Sequence, residues 1–439
     1  MTHLASHHAF GLLGGARVLV EESRDLPLVD LAFGFRSGSL LDPVGMEGLA
    51  RLMARLLRSG PRGSSPAKIE DELADLGARM SIQVGQSSLT LHASVLSRNL
   101  EPLIAMVASI LLEPGFRPKD LARERRATLA RITQLVDEDR ALAGRHLYRM
   151  LYPDHPYGRG MLGTRRSVRS IQREHLRELW RRTFTSRNLV VGVAGDVSAE
   201  DISRMLHAHL GELPRQARPT VKIPGIPRVR GRRARVVHKP ERSQSQLLVG
   251  TLGTHYRDPQ LYPLMLANTA FGETFSSPLV DRIRKQEGFS YGVGSRLSLG
   301  QKRGLFSISS FPSSEDAIDC LRIELELLDA WVERGCPAAG LRFAKGYLVG
   351  ARGMELDTAE KRLDQRFGPA LAGLPESYWD DYIPRLRAVT KSEADAAVRA
   401  RIRPEDVAIS IVGDADKLVP ALKQLLGTDD VTRHAPDEA

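Results

Sequence analysis

The chain repeats itself, and that repeat constrains it most. Asp42-Pro43 precedes one helical stretch, and Asp258-Pro259 precedes another 216 residues later. An apolar run at residues 189–194 closes in Gly195-Asp196. A second run at 407–412 closes in Gly413-Asp414, at an offset of 218. Landmarks about 150 residues apart thus share nearly one offset, which points to a duplicated domain of roughly 210 residues. Residues 214–231 (PRQARPTVKIPGIPRVRG) hold four prolines and many arginines, the composition of a linker. The expected organisation is one domain over 1–213, a linker over 214–231, a second domain over 232–426 and a polar, disordered tail over 427–439.

Local patterns fill in the first half. Residues 16–21 and 29–35 read as strands, and a Gly/Ser/Pro-rich loop follows. Leu49, Leu52, Met53, Leu56 and Leu57 fall on one helical stripe. The opposite face of that helix carries Arg51, Ala54, Arg55 and Arg58. Residues 67–76 read as a helix, and 80–84 and 89–95 as a hairpin across GQSS. Residues 100–112 and 118–151 read as helices, the second one long and charged. In the second half, 246–252 reads as a strand.

Charge and cysteines limit the function classes. Of 63 basic residues, 52 are Arg, and the net charge is +10, which favours acidic partners or substrates. Aromatics are scarce and no basic stretch is interleaved with stacking residues, so nucleic acid is not the expected partner. Two cysteines, Cys320 and Cys336, exclude a disulfide framework and a cysteine zinc cluster, and read as free buried thiols. No basic residue precedes the short apolar patch near the N-terminus, and the longest apolar run, 103–112, is too short to span a bilayer. The expected location is cytoplasmic.

Residues 281–294 (DRIRKQEGFSYGVG) set Arg284 and Tyr291 seven apart around Gly288. Alternation of Phe289, Tyr291 and Val293 after the glycine suggests a helix end, a turn and a strand. Two readings stand. A guanidinium and a phenol aimed at one spot bind a carbonyl oxygen that turns negative during acyl transfer. Alternatively, they are a solvated Arg and a half-buried strand Tyr.

Taken together, the motifs resemble the insulinase-like (pitrilysin-type) zinc peptidase family, above all its short bacterial members and the mitochondrial processing peptidase subunits. GARVLVEESRDLPLVDLAFGFRSGSLLDPVGMEGLA, YPDHPYGRGMLGT, SRNLVVGVAGDV, SSPLVDRIRKQEGFSYGV and RIRPEDVAISIVGD carry the resemblance, in the family's order and spacing. It implies an α+β fold of two homologous domains, each a mainly antiparallel sheet flanked by helices, forming half of a clam-shell. The family's active members place His-x-x-Glu-His on the first helix, where two histidines one turn apart hold zinc and the Glu activates water. Here those places hold Arg51, Ala54 and Arg55, and the place of the third ligand, 76 residues on, is Arg131. Glu124 resembles a supporting acidic residue. Guanidiniums offer no lone pair to a metal. These arginines read as a solvated face or as ion pairs, with contact to an acidic substrate or partner as the alternative. Metal and cofactor are therefore expected to be absent from this chain, with zinc in a partner.

No other residue set offers a metal site. His207 and His209 point to different sides of a helix, His155 reads as structural, and His175 with Glu178 reads as surface. In two-subunit family members the zinc-free chain supplies an Arg and a Tyr to the substrate carbonyl. Arg284 and Tyr291 match that pair in spacing and context. The resemblance implies that Tyr291 hydrogen-bonds the oxyanion while Arg284 anchors the substrate backbone. The chain is expected to be the non-zinc subunit of a heterodimeric metallopeptidase acting on peptides or unfolded polypeptide. The alternative is a structural or peptide-holding subunit.

Overall fold

Two six-stranded sheets carry the computed structural model, which describes residues 7–12, 14–217, 219 and 222–438. The first uses β1 (His7–Gly11), β2 (Arg17–Glu22), β3 (Leu28–Phe35), β4 (Arg79–Val84), β5 (Leu89–Leu96) and β6 (Leu189–Gly195), in the order β1-β2-β6-β3-β5-β4. The second uses β7 (Arg233–His238), β8 (Gln246–Leu252), β9 (Gly294–Leu297), β10 (Leu305–Ser310), β11 (Ala408–Gly413) and β12 (Val431–His434), in the order β12-β7-β11-β8-β10-β9. Only β2/β6, β7/β11 and β7/β12 pair in parallel. The expected pair of mainly antiparallel sheets with flanking helices is the fold.

Strand register shows the duplication residue by residue. Glu22 pairs with Gly195 in the first sheet, and His238 pairs with Gly413 in the second. Gly34 pairs with Val190, and Gly250 with Ala408. The Gly-Asp steps that close β6 and β11 therefore occupy one structural place.

Each sheet organises a compact unit, and neither unit is a continuous piece of chain. The first takes the described residues of 1–132, 160–222 and 352–381; the second takes those of 133–159, 223–351 and 382–438. The stretch 118–151 is not one helix. It is a helix over Pro118–Gln134, a tight turn over Leu135–Asp137 and a second helix over Asp139–Leu151. The first helix stays with its own half of the chain almost to its end, whereas the second packs on β8 and β11. In return, Ala359–Ala372 packs on β2 and β6.

This exchange follows from how β-strands present their side chains. Successive residues point to opposite faces. From β3, Val29, Leu31, Phe33 and Phe35 join the core with the Leu49–Leu57 and Leu100–Leu112 helices. On the opposite face Leu19, Ala32, Val190 and Ala194 are equally apolar. They are covered by Leu363, Phe367, Ala370 and Leu371 of the Ala359–Ala372 helix. Gly34 and Gly192 make room for it: a Cβ there would lie 2.7 and 2.9 Å from the Phe367 ring. Arg362 donates to Glu21 at 2.6 Å, and Arg36 donates to the Leu371 carbonyl at 2.9 Å, so polar contacts fix the helix as well. In the second unit Leu147 lies against Gly250 in the same way.

The second unit has an aromatic centre, with Phe271 stacked on Trp331 at 4.3 Å and Phe306 at 5.4 Å from it. Cys320 and Cys336 are free and buried, as expected. Glu324 is fully buried beside Cys320, and one of its carboxylate oxygens has no partner. Burial pushes its pKa up to about 8.

Two local expectations are corrected. The end of the chain is not a disordered tail throughout, because Val431–His434 pairs in parallel with β7. Residues 289–293 are a loop, and the strand after Tyr291 is only Gly294–Leu297. The expected strand at 246–252 is β8, and Arg233–His238 adds a strand before it. Among the described residues no helix is long and apolar enough to cross a membrane.

Two outcomes are expected. Gly34→Ala lowers stability to denaturant by about 1–3 kcal/mol through overpacking against Phe367, and adding Phe367→Leu recovers part of the loss. An unchanged midpoint for Gly34→Ala would mean that the helix does not seat there. For Glu324, the raised folded pKa means that unfolding releases a proton between about pH 4.5 and 8, so its contribution to stability is lost as pH rises through that window. The melting temperature of Glu324→Gln minus that of wild type should grow from pH 5 to 8 and then level off. A flat difference would refute the buried neutral carboxyl.

Candidate functional site

The Arg–Tyr stretch grows out of an unusual helical segment. The helix Leu261–Asn268 widens into a turn at Thr269–Glu273, and the chain re-enters helix at Pro278, capped by Ser277. It widens again at Asp281–Gln286, where the Glu287 amide reaches back five residues to the Arg282 carbonyl at 3.1 Å. Such wide turns are rare and cost regular helix geometry. Gly288 then turns at φ +70°, and the Phe289 amide closes on the Ile283 carbonyl at 3.0 Å.

Polar side chains hold both wide turns. Glu273 accepts from Asn268 at 2.6 Å and from Thr269 at 2.5 Å, and Ser295 of β9 donates to Asn268 at 2.8 Å. Burial raises the Glu273 pKa against these hydrogen bonds. The loop after Gly288 is pinned by buried Ser290, which donates to the Gly292 carbonyl at 2.9 Å and accepts from the Phe311 amide at 2.8 Å.

On this frame the structure brings Arg284 and Tyr291 together. The guanidinium carbon of Arg284 lies 4.3 Å from the centre of the Tyr291 ring and 5.5 Å from that of Phe275. Tyr291 is 85% exposed and Phe275 77% exposed. The other basic residues of the stretch have acidic neighbours: Arg282 pairs with Glu287 at 2.7 Å and Lys285 with Asp281 at 3.2 Å. Arg284 has no ion pair or hydrogen bond among the described residues. Its charge is met by ring faces, and its N–H edges stay open. Phe275 is the residue that sequence reasoning missed. Its signal was an aromatic nine residues ahead of the Arg, in the polar loop ETFSS.

The first-half positions are arranged differently. Asp42 caps the Leu49–Leu57 helix, accepting from the Gly48 and Ala50 amides at 2.9 and 2.8 Å, and burial raises its pKa to about 7 despite those bonds. Its repeat mate, Asp258, has Arg401 at 2.7 Å and Thr254 at 2.7 Å. Burial alone would raise its pKa, but these partners hold it down at about 2. Arg51 and Arg55 lie on the exposed side of the helix, whereas Ala54 is buried in the core. Arg55 pairs with Glu124 at 3.1 Å, and Glu124, itself buried, also takes Arg123 at 3.2 Å. Arg51 has no ion pair among the described residues. Its pKa is lowered first by burial and then by the charges of Arg55 and Arg131.

Zinc does not fit this set. Three of the four positions are guanidiniums in mutual electrostatic reach, and the fourth is a methyl group in the core. Among the described residues, one trio of suitable type lies close together: His238, Asp414 and Asp416. Each of its members also has a local bond. His238 accepts from the Ala415 amide at 3.1 Å, Asp414 from the Asp416 amide at 3.1 Å, and Asp416 pairs with Arg433. Two histidines considered from the sequence also have local tasks. His155 accepts from the Tyr157 amide at 3.1 Å, and His175 from the Gln172 amide at 3.0 Å.

Comparison with known proteins agrees with this geometry. Residues 17–165 match the family model described as insulinase (peptidase family M16), and residues 170–333 match that described as the peptidase M16 inactive domain. An uncharacterized zinc protease of Mycobacterium leprae is 26% identical over 342 residues, 77% of this chain and 76% of that protein. The non-peptidase homolog YmxG of Helicobacter pylori is 21% identical over 400 residues, 91% and 92% of the two chains. Among solved structures, a peptidase M16 inactive domain from Pseudomonas fluorescens superposes with a TM-score of 0.87 at 24% identity, covering 93% of this chain and 98% of that one. A protease from Helicobacter pylori gives 0.81 at 15% identity, covering 93% and 100%. The structural likenesses speak for the fold, and the two sequence models speak for descent: the chain belongs to the insulinase (M16) peptidase family.

Proposed function

We propose that this chain is the non-zinc subunit of a heterodimeric metallopeptidase and supplies Arg284 and Tyr291 to the substrate carbonyl. One observation carries the reading. Arg284 has no acidic partner and is held against two exposed aromatic rings, with Tyr291 presenting its phenol to solvent. A surface Arg with no ligand to meet would gain from an acidic neighbour, as Arg282 does at 2.7 Å. Here aromatic faces hold the cation while its donors stay available.

The chemistry follows from the groups. Tyr291 donates its O–H to the oxygen that gains charge as the peptide carbonyl becomes tetrahedral. The guanidinium beside the ring makes that O–H a stronger donor, and its own N–H edge takes a backbone carbonyl. Phe275 backs the guanidinium and limits its rotamers. A homologous partner that bears the zinc motif provides the metal and the attacking water, because positions 51, 54, 55 and 131 cannot hold zinc here.

A second reading has its own support. The match to the inactive-domain model and the likeness to a protein named a non-peptidase homolog favour a structural or peptide-holding subunit. Open Arg284 donors serve peptide holding equally well, so turnover in the complex decides.

Three measurements test the proposal. The isolated chain, purified with zinc present, should carry no stoichiometric metal, and a chelator should leave its melting temperature unchanged; one zinc per chain would overturn the assignment. In the reconstituted complex, Tyr291→Phe should lower kcat by about 10²–10³ with assembly intact, and unchanged turnover would leave only the holding role. Arg284→Lys should also impair peptide hydrolysis, since an ammonium lacks the planar fork and stacks poorly on rings. Full activity of that variant would remove Arg284 from the site.

A further inference from the structure

The exchanged helix of the second unit covers a face that its counterpart in the first unit does not resemble. By register, Leu19 pairs with Gly192 three residues before Gly195, and Arg235 pairs with Ser410 three residues before Gly413. Arg235 therefore occupies the place of Leu19. In the first unit Leu19 is fully buried beneath Phe367 and Leu363. In the second unit a guanidinium lies beneath the Asp139–Leu151 helix.

Several of the groups near it are basic. The helix contributes Arg145, His146 and Arg149, and β12 contributes His434, whose ring lies 5.0 Å from that of His146. Arg145, Arg149 and Arg235 are half-buried, and none has an ion pair or hydrogen bond among the described residues. Each is destabilised as a cation, first by burial; Arg149 adds to this for Arg145 and Arg235, and for Arg235 the Asp430 carboxylate partly opposes it. His146 is 1% exposed, and both of its ring nitrogens are buried without a partner. Burial and the neighbouring cations lower its pKa to about 3, so it is neutral. The Ser410 hydroxyl, on the same face as Arg235, is likewise buried and unpartnered. Two acids stand nearby: Asp430, 3.8 Å from Arg233 and also acting on Arg235, and Glu438, 3.1 Å from His434.

Three cations with open donors, one neutral imidazole and one hydroxyl make an incomplete hydrogen-bond set. Buried polar groups are ordinarily satisfied, and desolvated cations ordinarily have a counter-charge. We propose that the basic groups between the Asp139–Leu151 helix and β7 bind a tetrahedral oxyanion of the phosphate class, held by Arg145, Arg149 and Arg235 with His146 and Ser410. A doubly charged tetrahedral anion offsets most of the charge and offers acceptors on several sides, which a planar, singly charged carboxylate does not. The anion reaches the site as free phosphate or as the phosphate of a small phosphorylated metabolite. The site shares no residue with the Arg284–Tyr291 pair and does not depend on the peptidase reading.

The full chain tests this directly. Inorganic phosphate and a nucleoside monophosphate are titrated at constant ionic strength, with chloride as the reference. Calorimetry and the His146 ring resonances report binding. Binding of phosphate assigns the free ion, and binding of the monophosphate alone assigns a phosphorylated metabolite. Arg235→Leu installs the residue found at the matched place of the first unit and should weaken binding at least tenfold. Arg149→Gln, a milder change on a half-buried helix position, should do the same if Arg235→Leu does not fold. The proposal is overturned if neither anion binds at millimolar concentration, if the variant that folds binds as tightly as wild type, or if binding leaves His146 unperturbed.

Discussion

The contact of Phe367 with Gly34 and Gly192 is the one on which the first unit depends. A six-stranded sheet that is apolar on both faces has to cover both, and the helices of its own half cover only one. The second face takes Ala359–Ala372, which lies more than 300 residues along the chain from β3. The close approach is possible because two adjacent strands carry hydrogen where any other residue carries a Cβ. Gly250 and Leu147 repeat the device in the second unit. Each unit thus includes a helix from the opposite half of the chain, and neither half contains a complete unit by itself.

That dependence explains what the sequence conveyed. The repeat, the strand endings at Gly195 and Gly413, and the stripe from Leu49 to Leu57 are local patterns, and all of them appear as read. The exchange is not a local pattern. Residues 118–151 carry neither Gly nor Pro around the break at Leu135–Asp137, so nothing there announces that one helix ends and the next packs elsewhere. The run 427–439 looked unstructured because it is polar, yet an edge strand needs only one neighbour, and β7 provides it. Residues 289–293 alternate like a strand, but Ser290 uses its hydroxyl to fix them as a loop.

The Arg–Tyr site was legible as a pair and not as a geometry. Spacing placed Arg284 and Tyr291 together, and the wide turn at Asp281–Gln286 accounts for how they meet. Phe275 was invisible because its contact with Arg284 runs into the wide turn at Asp281–Gln286, whose form no propensity scale anticipates. That positions 51, 54, 55 and 131 offer no metal ligand is legible from side-chain type alone. What type could not show is that Ala54 faces the core while Glu124 is buried between Arg55 and Arg123. The acidic residue is needed there to neutralise cations.

The two halves therefore differ in how they treat arginine. On the Leu49–Leu57 helix Arg55 meets the buried Glu124 carboxylate through its Nε at 3.1 Å. In the second unit Arg284 rests on rings, and Arg145, Arg149 and Arg235 have no ion pair among the described residues. Leaving a guanidinium without acid costs stability whenever it is partly desolvated, and these four stand in a chain that places carboxylates beside Arg282, Arg232 and Arg228 within a few residues or one strand of them. An acidic neighbour at any of the four would stabilise the free protein and occupy the donors at the same time. Open donors on a partly desolvated cation have a physical rationale only where something outside the chain completes them. Both proposed sites therefore lie in the second unit.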